Sequence, residues 1–240
     1  EYFMKKHLPN LITLINLFCG INASILWLND DQNLALYFII IAALADFLDG
    51  FVARMLKVSS EVGKQLDSLC DLVSFGVFPS IIIYQILANN HPIEEGINIY
   101  AVPAFIIAMG AAYRLAKFNL DYRQTEDFIG LNTPSLKIFV LGLYFIIDQN
   151  TFGLQSILLN NFVLYGICGL LVFLMNAEIS LFGLKVKNFG WKGNELKIIV
   201  LTVSIALIAT IGFQSLSFII LFYIILSVLF HRDKVLTKES

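Results

Sequence analysis

The chain has 240 residues, of which 58% are hydrophobic and 14% charged, with a formal net charge of −2 and a mean hydropathy of +0.78. A soluble globular domain carries about a quarter charged residues, so this composition excludes one and points to a chain that lives in a membrane. The small negative charge excludes the basic surface a nucleic-acid partner needs, and Cys19, Cys70 and Cys168 sit in apolar runs without disulfide or metal spacing.

Apolar runs, measured against the ~20 residues a helix needs to span a bilayer, predict about eight transmembrane helices. In chain order they fall near 11–28, 34–57, 66–88, 100–119, 134–150, 157–176, 196–212 and 215–231. The first has a polar face, because Asn10, Thr13 and Asn16 recur every three residues. The fifth is short, bounded by Pro134 and Asp148. Residues 198–230 are too long an apolar run for one ordinary span, and Gly212, Gln214, Ser215 and Ser217 mark a hairpin within it. No A-x-A-like site follows a short apolar core, so no cleaved signal peptide is expected. The predicted fold is all-α: a polytopic membrane helix bundle forming a single integral membrane domain over residues 1–240.

The basic residues set the orientation. All sixteen Lys and Arg lie in the N-terminus, the 55–66 region, 114–133, 177–197, the C-terminal tail or the adjoining helix ends. The opposite loops, near 29–33, 89–99, 150–156 and 213–216, contain none. By the positive-inside rule both termini face the cytoplasm. Lys185, Lys187, Trp191 and Lys192 read as interface anchors, and His7, His91 and His231 lie at helix ends or loops without an assigned role.

Against this background the second and third helices stand out. They carry Asp46, Asp49, Gly50, Ala53 and Arg54, then Gly63, Asp67 and Asp71. Each charged group at the bilayer centre costs roughly 2.5–3.5 kcal/mol on insertion scales, so such groups face a wet cavity, a cation or a metal. Asp46 and Asp49 are three residues apart, with Gly50 and Ala53 continuing the stripe, and Gly63, Asp67 and Asp71 come at steps of four. Each set therefore occupies one helix face, and two such faces suit a shared site between antiparallel neighbours. All-oxygen ligation fits a hard divalent cation, Mg²⁺, Mn²⁺ or Ca²⁺. Four carboxylates exceed the charge of one divalent ion, leaving either two ions or one ion with a free carboxylate. The polar cavity between these helices is expected to open toward the cytoplasm.

The full pattern D-x2-D-G-x2-A-R-x8-G-x3-D-x3-D, from Asp46 to Asp71, resembles the signature of the CDP-alcohol phosphotransferase superfamily at every position. Three further segments resemble the membrane phosphatidylserine synthases within it. These are Pro9-Asn10 to Gly20, the Arg114-Leu-Ala-Lys117-Phe118-Asn119 block, and Phe128 to Pro134. Two positions depart from that pattern: Lys117 replaces an Arg, and Asn132 replaces a Pro. The resemblance is good over roughly 8–140, the expected catalytic helices, while 141–231 reads as additional transmembrane helices.

The resemblance implies displacement of CMP from CDP-diacylglycerol by L-serine, giving phosphatidylserine. Asp46, Asp49, Asp67 and Asp71 would bind divalent metal, with Asp71 also the catalytic base. Asp49, Gly50, Ala53, Arg54, Gly63 and Asp67 would bind the CDP moiety. Asn16, Arg114, Lys117, Asn119 and Arg123 are the candidates for serine. Membrane lipids and a second copy of the chain, as a homodimer in a prokaryotic-type cytoplasmic membrane, complete the implied partners. Two rivals stay open: the same chemistry with glycerol 3-phosphate or an inositol phosphate as acceptor, and a metal or proton transporter using the four Asp as a relay.

Overall fold

The computed structural model describes residues 2–58, 60–93, 95–121, 128–183 and 194–230, with side chains from residue 7 onward. Arg123, Lys185, Lys187, Trp191, Lys192 and His231 lie outside the described residues. The chain forms two compact units, Glu1–Asp121 and Tyr122–Ser240.

In the first unit, α1 (Tyr2–Leu28) and α2 (Gln32–Leu56) form a hairpin closed by a turn at residues 29–31. Asp31 caps α2 by accepting the Leu34 N–H at 3.1 Å. The faces of α1 are reversed from those of a water-soluble helix. Leu11, Ile15, Phe18, Ile21 and Ile25 are exposed, while Thr13, Asn16, Ala23 and Ser24 are buried. Likewise α2 exposes Tyr37, Ile40, Leu44, Phe47 and Phe51 and buries Ala35, Ile39, Ala42, Ala45 and Asp49. An apolar outside around a polar, small-residue inside is the pattern of helices whose solvent is lipid.

The third span begins earlier than expected, at Glu61 rather than near 66. The reason is a cap: the Ser60 hydroxyl accepts the Gly63 N–H at 2.9 Å, which satisfies a helix-start donor. The span runs as α3 (Glu61–Asp71), a π-helical turn (Leu72–Val77) and α4 (Phe78–Asn90). After a short 3₁₀ turn, α5 (Ile106–Leu120) completes the unit.

The second unit holds α6 (Thr133–Asp148), the single turn α7 (Gln155–Leu158), α8 (Asn161–Asn176), α9 (Glu195–Ile211) and α10 (Ser215–Phe230). The predicted break in the last apolar run occurs at Gly212, whose φ of +69° ends α9. Helices α6 and α10 meet where Gly142 faces Ser217, whose hydroxyl donates to the Phe139 carbonyl at 2.6 Å. At Asn132, where the related pattern has Pro, the side chain caps α6 by accepting the Ser135 N–H at 2.8 Å. A short β pairing, not expected from the sequence, joins Phe128–Ile129 antiparallel to Ser180–Leu181. Gly130 and Leu131 continue this clip by donating to the Ile179 and Leu174 carbonyls, each at 2.8 Å. The Leu174 carbonyl, in the last turn of α8, thereby gains a partner that its own helix does not supply. Gly130 adopts a φ of +72° there, where a side chain would strike the Met175 carbonyl.

Among the described residues, four helical stretches are long and apolar enough to cross a membrane: His7–Leu28, Gln32–Leu56, Glu61–Asn90 and Glu195–Phe230, the last comprising α9 and α10 with the break at Gly212 between them. With the shorter helices around them, the chain is a polytopic helical membrane protein.

Candidate active site

The acidic residues come together in the first unit, as their spacing predicts. Oxygen atoms of Asp46, Asp49 and Asp67 all lie within 4.8 Å of one another. Asp71, one turn beyond Asp67, lies close enough to Asp46 for their carboxylates to interact. Two helices thus supply two carboxylates each. The donor set is all oxygen, the spacing allows one centre to be shared, and the negative charge is concentrated in a low-dielectric surrounding. These properties fit a hard divalent cation, and the cluster is able to hold one.

Helix α1 organises the carboxylates from the side. The buried Thr13 hydroxyl donates to Asp49 Oδ2 at 2.5 Å, with the Pro9 carbonyl 3.0 Å from the same hydroxyl oxygen. The buried Asn16 amide donates to Asp71 Oδ1 at 3.2 Å. The polar face expected on this helix is therefore turned onto one carboxylate from each acidic pair. Thr13, which the sequence marks with Asn10 and Asn16 as the polar face of this helix, is absent from the expected ligand set, and its bond to Asp49 adds it to the residues that shape the site.

A cleft of about 200 Å³ adjoins the carboxylates, lined among others by Thr13, Asp49, Gly50, Ala53, Gly63 and Asp67. The small residues do two things. The open side of Gly50 receives the Arg54 guanidinium, whose Nη1 would sit 3.3 Å from a Cβ there. Gly63 lets Asn10 Oδ1 and Ser60 Oγ approach to 3.0 Å of the same missing atom. Lys64 also lines the cleft, a cation that the motif does not assign to it.

Helix α5 carries Arg114, Lys117 and Asn119. Arg114 is 6% exposed, lies within electrostatic reach of Asp71 and rests over the Phe118 ring at 5.9 Å. Its Nε is buried without a hydrogen-bond partner among the described residues, and so is Asn16 Oδ1. Both unmet groups belong to residues that engage Asp71, one a donor and one an acceptor. Asn119 is engaged differently. Its amide donates to Gln65 Oε1 and Ser68 Oγ at 3.1 and 3.0 Å, and its main-chain carbonyl accepts Lys64 Nζ at 2.8 Å. It stitches the end of α5 to α3, one turn from Asp67.

Residues 6–230 match the family profile described as CDP-alcohol phosphatidyltransferase. Among curated proteins, the chain is 34% identical over 129 residues to the CDP-diacylglycerol–serine O-phosphatidyltransferase of Bacillus subtilis (strain 168), covering 54% of this chain and 70% of that protein. It is 33% identical over 168 residues to the protein of the same name from Helicobacter pylori (strain ATCC 700392 / 26695), covering 66% of this chain and 67% of that protein. To the archaetidylserine synthase of Methanothermobacter thermautotrophicus it is 32% identical over 139 residues, 57% of each chain. With a profile match that spans both units and includes every residue of the acidic cluster, the chain belongs to the CDP-alcohol phosphatidyltransferase family.

Proposed function

We propose that this protein transfers the phosphatidyl group of CDP-diacylglycerol to the hydroxyl of L-serine, releasing CMP and forming phosphatidylserine. The observation that carries the reading is the convergence of Asp46, Asp49 and Asp67 within 4.8 Å, beside a cleft floored by Gly50, Ala53 and Gly63. The serine acceptor is supported by the relatives, which are named for serine transfer in bacteria and for archaetidylserine synthesis in an archaeon.

The work is divided among three sets of residues. Asp46, Asp49, Asp67 and Asp71 would hold divalent metal, Mg²⁺ or Mn²⁺, with Ca²⁺ also compatible as a bound ion. When bound, the metal neutralises phosphoryl oxygens and the charge that develops on departing CMP. Asp49, Gly50, Ala53, Arg54, Gly63 and Asp67 receive the CDP moiety. At about 200 Å³ the cleft is smaller than the 300–1,000 Å³ or so of a pocket that swallows a whole ligand. The polar nucleotide end enters it, and the acyl chains stay in the bilayer.

Asp71 accepts the proton of the serine hydroxyl as its oxygen bonds to the lipid-side phosphorus and the bond from that phosphorus to CMP breaks. The serine zwitterion needs an acceptor for its ammonium and a donor for its carboxylate. The unmet Asn16 Oδ1 and Arg114 Nε supply that pair near Asp71. Lys117, Asn119 and Arg123 complete the acceptor side, Asn119 by holding α5 against α3. The site and both termini face the cytoplasm of a prokaryotic-type membrane, and the working unit is a homodimer.

An acceptor panel tests the reading. Purified protein receives CDP-diacylglycerol with serine, glycerol 3-phosphate or an inositol phosphate, and CMP release is monitored. Serine should be turned over fastest. Faster turnover of glycerol 3-phosphate refutes the serine assignment. No CMP release with any acceptor, together with metal or proton flux in liposomes, replaces the enzyme by a transporter.

A further inference from the structure

The helix that carries Asp67 and Asp71 does not remain α-helical past them. Immediately after Asp71 comes the π turn Leu72–Val77, in which the Phe78 N–H bonds to the Val73 carbonyl. An i→i+5 turn is rare in proteins and occurs mostly as short bulges, often at functional sites. By accommodating an additional residue it rotates α4 about the helix axis relative to α3. The residues in the turn are tightly held. Ser74 and Phe75 are fully buried, and Gly76 lies so close to α5 that a Cβ there would sit 2.9 Å from the Ala111 methyl.

Ser74 faces α1. Its hydroxyl donates to the Asn16 carbonyl at 3.1 Å. The two backbones come this near because Gly20, one turn along α1, has no side chain. A Cβ there would strike Ser74 Oγ and lie 3.0 Å from the Ser74 Cα. The side chain of the same Asn16 donates to Asp71 Oδ1 at 3.2 Å. Ser74 and Asp71, three residues apart on one helix, therefore hold one residue of α1. Ser74 takes its main chain and Asp71 its side chain.

We propose that Ser74 is a positioning residue for the transfer reaction: seated in the π turn against Gly20, it anchors the Asn16 main chain and, through the Asn16 side chain, holds the Asp71 carboxylate in place. The proposal rests on the role given to Asp71 above. The Ser74 hydroxyl bonds to the main chain of α1 and not to a carboxylate of the cluster. It acts only through Asn16.

The test is a double-mutant cycle in the full-length enzyme, with two readouts: kcat for CMP release, and Mn²⁺ affinity by electron paramagnetic resonance of the free ion, which needs no turnover. Ser74→Ala deletes only the hydroxyl and keeps the packing. The loss of one neutral hydrogen bond corresponds to about three- to tenfold, expected in kcat and in Mn²⁺ affinity, with the KM for CDP-diacylglycerol within about twofold. In an Asn16→Ala background, Ser74→Ala should change neither readout further, because its route to Asp71 is gone. Losses that add to those of Asn16→Ala overturn the proposal, as does a Ser74→Ala effect confined to thermal stability. Asp71→Asn, run alongside, separates the premises. If it keeps full turnover, the role of Asp71 fails. If it is inactive while Ser74→Ala has wild-type kcat and Mn²⁺ affinity, only the positioning role fails.

Discussion

Replacing Thr13 by Val probes how much the first helix contributes to the metal site. The substitution keeps a β-branched side chain of similar shape and removes one hydroxyl. That hydroxyl donates to Asp49 Oδ2 at 2.5 Å, and both residues are buried, at 3% and 6% exposure. A hydrogen bond to a charged group contributes about 1.5–3 kcal/mol, which is about 10- to 150-fold at 1.36 kcal/mol per decade. The same range, about 10- to 100-fold, is typical when a partner that orients a metal-ligating side chain is lost. Thr13→Val should therefore weaken Mn²⁺ binding by one to two orders of magnitude and lower kcat at fixed metal by a similar factor. Thr13→Ser, which keeps the donor and drops a methyl, should stay within a few-fold of the unmodified protein. The assay is CMP release from CDP-diacylglycerol and serine across a Mn²⁺ titration, with bound metal measured separately. If Thr13→Val stays within about twofold in both measurements, or Thr13→Ser loses as much as Val, the hydrogen bond is not what holds Asp49.

Three further outcomes are expected. Asp46→Ala and Asp67→Ala should each abolish turnover and metal binding in a protein that still purifies as a folded species. Chelation should do the same to the unmodified enzyme, and substantial activity in excess chelator would contradict the site. Arg114→Ala should raise the serine KM by about tenfold or more, the loss of one charge-assisted contact, with the KM for CDP-diacylglycerol little changed; equal changes in both would remove Arg114 from serine recognition. On a background freed of Cys19, Cys70 and Cys168, a Cys at position 93 should react with an impermeant thiol reagent from outside and one at position 126 should not, and the reverse pattern would invert the orientation.

The acidic cluster was legible because helical geometry converts spacing into direction. Asp46 with Asp49, and Gly63 with Asp67 and Asp71, each fall on one face whatever the neighbouring helices do. The membrane character was legible from composition, and the inward face of the first helix from the spacing of Asn10, Thr13 and Asn16. What stayed hidden depends on distances between helices. The run from Leu72 to Ile83 carries Ser74, Gly76, Pro79 and Ser80, which mark an irregular helix, but a π turn has no periodic signature that tells it from an ordinary kink. Ser74 looks like a filler residue until Gly20 is brought against it. The early start of α3 depended on Ser60 acting as a cap rather than as loop. Asn119 was visible as a polar residue near the site, but only the packed α3–α5 seam shows its amide engaged with Gln65 and Ser68. The short pairing of Phe128–Ile129 with Ser180–Leu181 joins segments far apart in the chain, too short on each side for any strand pattern to register.

The hairpin of α1 and α2 also bears on how the chain enters its membrane. Synthesis delivers α1 first, so its Thr13 and Asn16 are already at hand when α2 brings Asp46 and Asp49 to the translocation machinery. A lone acidic helix faces an insertion penalty of roughly 2.5–3.5 kcal/mol for each central charge. With three residues between the two helices, the pair can partition together, and the Thr13 hydroxyl can meet Asp49 before the helix that carries Asp67 and Asp71 follows. Chain order is thus part of the design. A permuted gene that encodes α1 last would present α2 to lipid without its polar companion, and its failure would show as poor membrane integration rather than as a catalytic defect.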